Sequence, residues 1–457
     1  MKDIGMGEWS PLSWKTKTNA QPIAFDDPAA LERAVARLVG MPPLVTSWEI
    51  ERLRQLLAEA QEGKRFLLQG GDCAETFDEC RPAFITSKLK ILLQMSLVLI
   101  QAFQGPVIRV GRVGGQYAKP RSKSTETRGG VELPSYFGDS INGIDFTPEA
   151  RRIDPERMLH AHAHAAMTLN FIRSLTDAGF ADAHHPEYWD LPFRKNVPDA
   201  MHTEYRAITA HLSEALRFMS ALGERSVAEL TRVDFYTSHE ALHLDYESAQ
   251  CRTVPRRPGH YLLTTHFPWI GERTRASDGA HVELLRGVRN PIAIKVGPSA
   301  APDDVVRTVR ALDPDGEPGR ITLVTRLGAA RVAEKLPPIV EAVRAAGLRV
   351  LWVTDPMHGN THVTPSGRKT RRFEEITAEI DASFDAHARI GSRLGGVHFE
   401  LTGDDVTECT GGVSGIADSD EGTNYQTTCD PRLNYGQALE MSFLVGRKLA
   451  EQRRAAR

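Results

Sequence analysis

Four side chains in this sequence have the donor chemistry of a divalent-metal site: Cys73, His358, Glu400 and Asp430. Together they offer a thiolate, an imidazole and two carboxylates. That mixture of soft and hard donors suits Mn, Fe, Co or Zn better than Mg or Ca. A second set is cationic: Arg112, Lys119, Arg121, Arg273, Lys295 and Arg326. Guanidinium forks and ammonium point charges bind phosphate and carboxylate groups. Cations gathered at one mouth repel one another unless anions sit between them. Their number points to two phosphorylated substrates, or to one bisphosphate.

The elements that must position these residues are read from the apolar runs. Short, continuous, β-branched runs occur at residues 65–69, 107–110, 233–237, 261–265, 292–296, 321–325, 350–354 and 397–401. Such runs are expected of parallel strands buried on both faces. Helical patterns follow most of them, as at 305–312, 329–346 and 373–390. This alternation predicts an α/β chain folded as a (β/α)8 TIM barrel, with a doubly wound open sheet as the runner-up. Residues 1–61 read as an N-terminal arm packed on the barrel or on a partner subunit, and 62–457 as the catalytic barrel. Extra helices are expected at about 150–225, after the second strand, the clearest at 155–179 and 201–222. Reactive residues of a barrel sit at the C-terminal ends of its strands, and both sets fall there.

Taken singly, these residues are ordinary. A lone Cys is usually a small buried hydrophobe, and a lone His is usually a hydrogen-bonded structural group. Glu400 differs, because a carboxylate inside an apolar run is costly if unpaired. The weight lies in the shared position at successive strand ends. Other candidates are weaker. Cys73 and Cys80 lack zinc-finger spacing. His160, His162 and His164 alternate but point in different directions on a helix, so they read as solvated rather than as a metal site. GRVGGQ has neither dinucleotide-binding nor Walker spacing. Asp139 and Asn142 read as structural groups of a rim loop.

The net charge of −3 and the pI near 6.6 give no basic field for nucleic acid or an acidic membrane. The N-terminal residues lack the apolar core of a signal peptide, and no run suggests a membrane span. The apolar stretch 91–103 reads as a buried helix. Five cysteines do not suggest a disulfide framework, so a reducing cytoplasm is the expected location.

The motifs LLQGGDCAETF, GQYAKPRS, SHEALHLDYE, WIGERTR, DPMHGNTH, KTRRF, GGVHFELTGDDVTEC and CDPRLN stand in this order from about residue 65 to the C-terminus. Together they resemble type II (plant-like) 3-deoxy-D-arabino-heptulosonate 7-phosphate (DAHP) synthases, and WSPLSWK near the start is similar to that family's arm. The resemblance implies a transferase joining phosphoenolpyruvate to erythrose 4-phosphate, the first step of the shikimate pathway. It implies Cys73, His358, Glu400 and Asp430 as metal ligands, with Mn2+ foremost and Co2+, Fe2+ or Zn2+ as alternatives. It implies Arg112, Glu272, Arg273, Lys295 and Arg326 at phosphoenolpyruvate, Glu272 being known from the resemblance alone. Lys119, Arg121 and Ser122 of KPRS would hold erythrose 4-phosphate. Catalytic roles fall to Lys119, as proton donor or neutraliser of the developing alkoxide, and to Cys73 and His358 through the metal.

A homodimer or homotetramer and a chorismate mutase partner are further expectations, and a role in a secondary-metabolite pathway stays open. The loop 121–136 is longer, and the arm shorter, than in some bacterial members. Two rival readings are another metal-dependent phosphosugar lyase and a non-catalytic regulatory barrel. Cys429 adjoins Asp430. If Cys73 and Asp430 share one metal, Cys429 approaches Cys73, and two readings stay open: an inactivating oxidative disulfide, or an inert buried thiol.

Overall fold

A computed structural model describes residues 8–177, 199–221, 234–417 and 422–455. Eight parallel strands close into a barrel. In chain order they are β1 (Phe66–Gly71), β2 (Val107–Arg112), β3 (Tyr236–Glu240), β4 (Phe267–Ile270), β5 (Ile292–Val296), β6 (Ile321–Thr325), β7 (Leu351–Thr354) and β8 (Gly396–Glu400). Each pairs with its sequence neighbours, and β8 returns to pair with β1, Glu400 lying opposite Gly71. The strands are buried almost throughout, as their uniform apolar runs require.

Two strands differ from the expectation. The fourth strand is 267–270, not 261–265. His260–Leu262 instead pairs antiparallel with Cys251–Thr253 in a small hairpin outside the barrel. A β-branched run does not say which partner it will find, and Pro268, which has no N–H to give, disguises the true strand. The third strand lies further along the chain than 233–237, so His239 and Glu240 are on it; Val233 is outside the described residues.

The helices begin with α1 (Pro28–Gly40) and α2 (Ser47–Gln61). Thr46 opens α2 with a capping box shared with Glu49. Its apolar face, Leu53, Leu56, Leu57 and Ala60, packs among inward-facing strand residues such as Leu67, Val110, Phe267 and Val353. α2 therefore closes the N-terminal end of the barrel. Each fully buried leucine contributes about 2 kcal/mol. Upstream of α1, Trp14 is buried against Leu244, Ala280 and Leu284, and Trp9 Nε1 donates to the Glu283 carbonyl at 2.9 Å. These segments pack on the barrel.

After β1 comes α3 (Pro82–Phe103). It is the only described helix long and apolar enough to cross a membrane, and 72% of its most apolar window is buried within the protein. Between β2 and β3 lie α4 (Arg157–Asp177) and α5 (Asp199–Ala221), matching the expected insertion; 178–198 and 222–233 are outside the described residues. The three histidines do not share a solvated face on α4. His160 is exposed, but His162 is buried, its ring nitrogens 2.9 Å from the Pro42 carbonyl and 3.3 Å from the Tyr246 hydroxyl. Positions two apart on a helix point to opposite sides. The barrel is completed outside by α6 (Ala280–Arg286), α7 (Pro302–Leu312), α8 (Val332–Ala345), α9 (Phe373–Arg389) and α10 (Tyr435–Ala455).

Candidate active site

Every site residue singled out from the sequence, except Glu400, lines one cleft of about 500 Å3 at the C-terminal end of the strands. Glu400 ends β8 and is fully buried beneath it. The donor atoms of His358, Glu400 and Asp430 lie within 4.8 Å of one another, as do those of Cys73, Cys429 and Asp430. Asp430 belongs to both groups, so the four expected ligands converge.

The donor set fits a divalent cation. Glu400 Oε1 is 3.0 Å from His358 Nε2 and 3.1 Å from Arg112 Nη2. Neither approach has hydrogen-bond geometry, so this buried oxygen keeps a free lone pair. Glu400 Oε2 accepts from Arg371 Nη1 at 2.7 Å, and both side chains are fully buried. His358 Nδ1 is 2.7 Å from Asp355 Oδ2, which leaves Nε2 for a ligand on the Glu400 side. Burial opposes the Asp355 charge, but His358 and Lys295 outweigh it and hold this carboxyl well below the usual range.

The cations come from separate strand ends. Arg112, last in β2, lies 5.1 Å over the Trp269 ring and donates to the Cys73 carbonyl at 3.2 Å. Gly71 lets β1 approach here, because a Cβ on it would meet the Arg112 carbonyl oxygen at 2.5 Å. Lys295, in β5, is ion-paired with Asp355. Burial pulls its pKa down to about 8 even though Asp355 pushes it up. Arg326 follows β6 and donates to the His358 carbonyl at 2.8 Å. The loops after β6 and β7 touch through backbone, since a Cβ on Gly359 would lie 2.3 Å from the Gly328 nitrogen. Across the cleft, Lys119 Nζ donates to the Thr428 carbonyl at 2.8 Å, and Arg273 reaches Ser122 Oγ at 3.2 Å. Glu272 turns to the end of β5, accepting from the Gly297 N–H and pairing with Arg275 at 3.2 Å.

Some residues near strand ends stay out of the cleft. His239 is paired with buried Glu247 at 2.7 Å, His266 Nδ1 accepts from the Thr237 N–H, and His243 is buried. Asp139 and Asn142 hold the rim loop through Phe77, Tyr136, Ser135 and Arg151, as expected. Sequence reasoning gave no role to Glu126, Glu240, Lys369 or Arg371. Glu126, Glu240 and Lys369 line the cleft, and Lys369 pairs with Asp430 at 2.6 Å. KTRRF had marked Lys369 and Arg371, without a role. Below the cleft, Arg432 donates to Asp72 at 2.6 Å and grips Glu408 with Nε and Nη2.

The model of the class-II DAHP synthetase family matches residues 9–446. The chain belongs to this family. It is 47% identical over 440 residues to the phospho-2-dehydro-3-deoxyheptonate aldolase of Streptomyces coelicolor, covering 96% of this chain and 97% of that one. The aldolase of the same name from Neurospora crassa is 44% identical over 462 residues, covering 98% and 95%. An AroG of that name from Mycolicibacterium smegmatis is 44% identical over 430 residues, covering 93% and 91%. The solved structure of the aldolase from Francisella tularensis aligns with a TM-score of 0.50, covering 94% of this chain and 97% of that one. At 12% identity it bears on the fold alone. Membership makes the chain a transferase of the DAHP synthase type.

Proposed function

We propose that the chain condenses phosphoenolpyruvate with erythrose 4-phosphate and water, giving DAHP and phosphate, in a reaction that depends on a divalent metal, Mn2+ first among the candidates. We read 1–61 as an arm and 62–457 as the catalytic barrel. The reading is carried by one observation: a soft-and-hard donor cluster and cations from several strand ends share one cleft. Cys73, His358, Glu400 and Asp430 would hold the ion, which when bound supplies Lewis-acid polarisation of the aldehyde oxygen.

Arg112, Arg273, Lys295 and Arg326 bind the phosphate and carboxylate of phosphoenolpyruvate, with Trp269 fixing the Arg112 plane. Glu272 sets the end of β5 and so the height of Lys295. Arg121 and Ser122 bind the phosphate of the aldose. These contacts turn C3 of one substrate toward the aldehyde carbon of the other. Lys119 gives a proton to the new alkoxide, or neutralises it. The cationic wall receives the phosphate released after water adds at C2.

The test is consumption of phosphoenolpyruvate with erythrose 4-phosphate and with other aldose phosphates, before and after chelation and after adding back Mn2+ or Co2+. Consumption only with erythrose 4-phosphate, lost on chelation and restored by metal, is expected. Full activity in metal-stripped protein would remove the metal, and turnover with a different aldose alone would remove the substrate.

A further inference from the structure

The loop after Ser122 forms a ribbon at the rim, Thr125–Arg128 paired antiparallel with Val131–Pro134. Glu126, on this ribbon, lines the cleft. Its Oε1 is ion-paired with Arg121 Nη2 and lies 3.4 Å from the Tyr136 N–H nitrogen. Its Oε2 lies 3.1 Å from Arg128 Nη2 and 3.4 Å from Arg151 Nη1. Arg151 is anchored, with 1% of its surface exposed and its guanidinium donating to the carbonyls of Asp145, Pro134 and Ile144 at 2.9–3.0 Å. Burial opposes the Glu126 charge, but Arg151 and Arg121 outweigh it and hold the carboxyl below its usual range.

A carboxylate so placed fills the anion position that Arg121 presents to the cleft. We propose that Glu126 is a built-in competitor for the phosphate of the aldose substrate and sets the specificity of that subsite. The incoming phosphate exchanges with Glu126 on Arg121, while Arg151 and Arg128 keep hold of Glu126 through its other oxygen. Because those two arginines remain paired, the exchange strands no buried charge. A dianionic phosphate wins this exchange, and a neutral aldose end does not. The inference rests on the proposed role of Arg121 as a phosphate ligand.

The rival role, in which Glu126 only braces Arg121, predicts the opposite sign. Glu126→Gln should lower the KM for erythrose 4-phosphate, and the inhibition constant of inorganic phosphate competing with it, in parallel by roughly three- to tenfold. The KM for phosphoenolpyruvate should stay the same, which also reports an intact barrel. A KM for erythrose 4-phosphate that rises or does not move in Glu126→Gln would overturn the proposal. Arg121→Ala separates the two levels. If it leaves the KM for erythrose 4-phosphate unchanged, the phosphate role of Arg121 falls; if it raises that KM while Glu126→Gln changes nothing, the competitor role alone falls.

Discussion

Asp355→Asn should shift the pH dependence of phosphoenolpyruvate use. Asp355 is fully buried and serves both halves of the site, pairing with Lys295 and with His358 Nδ1. Asparagine keeps the shape and removes the charge. Lys295 is already depressed to about 8 by burial, with Asp355 the largest opposing influence. Losing an adjacent opposite charge moves a pKa by roughly 1–3 units, so the variant's Lys295 should titrate at about 5–7. A cationic Lys295 is present below its pKa and lost as pH rises through it. In the parent, kcat/KM for phosphoenolpyruvate should therefore fall as pH rises through about 8. In the variant that fall should begin at least about one unit lower. At pH near 7.5 the charged fraction drops from roughly three-quarters to a few per cent at the middle of that range, a loss of about twentyfold to thirtyfold. His358 also loses its carboxylate, so metal affinity should weaken by about tenfold to a hundredfold. Steady-state profiles recorded at saturating metal isolate the Lys295 effect. A variant profile that turns at the same pH as the parent would refute the reasoning.

Three further outcomes are expected. Cys73→Ser should lower bound metal, measured by elemental analysis, and activity together; a folded variant with full metal content would exclude Cys73 as a ligand. Burial depresses His387 to about 4, so its contribution to stability is full above about pH 6.5 and is lost as pH falls toward 4, by about 3 kcal/mol in all. His387→Gln should flatten the acid limb of denaturant midpoints over that window, and an unchanged slope would contradict the assignment. Mild oxidation should join Cys73 to Cys429, both free thiols with sulfurs within 4.8 Å, with activity loss that a reductant reverses. Peptide mass spectrometry that finds both thiols free in inactivated protein would count against it.

The barrel was legible because strands buried on both faces leave uniform apolar runs, and seven of the eight expected runs overlap true strands. The exception has a local cause. Pro268 breaks the look of β4, while Tyr261 and its neighbours satisfy β propensity in a separate hairpin. Most of the cleft was legible for a related reason: a residue that follows a strand by a few positions has little choice of place, whereas Asp430, far past β8, stood out through the CDPRLN motif. Glu126 and Lys369 escape that rule. They arrive on long loops, where sequence distance from a strand says little about position in space. Arg371 is held by Glu400 and the Pro431 carbonyl, partners far away in the chain, and no local pattern announces them.

The pair between Asp72 and Arg432 spans 360 residues. It ties the end of the first strand to the loop that precedes the final helix, directly below the donor cluster. The floor of the cleft is thus where the beginning of the barrel is tied to the segment that follows its last strand. Asp72 and Arg432 cannot meet until residue 432 has left the ribosome, so a nascent protein that already holds all eight strands still has no working site. The same region is a point of release. A single cut between Glu400 and Asp430 would leave only non-covalent contacts, among them those of Arg371, Lys369 and Asp72, to hold the two sides of the donor cluster together, without disturbing any strand from β2 to β7.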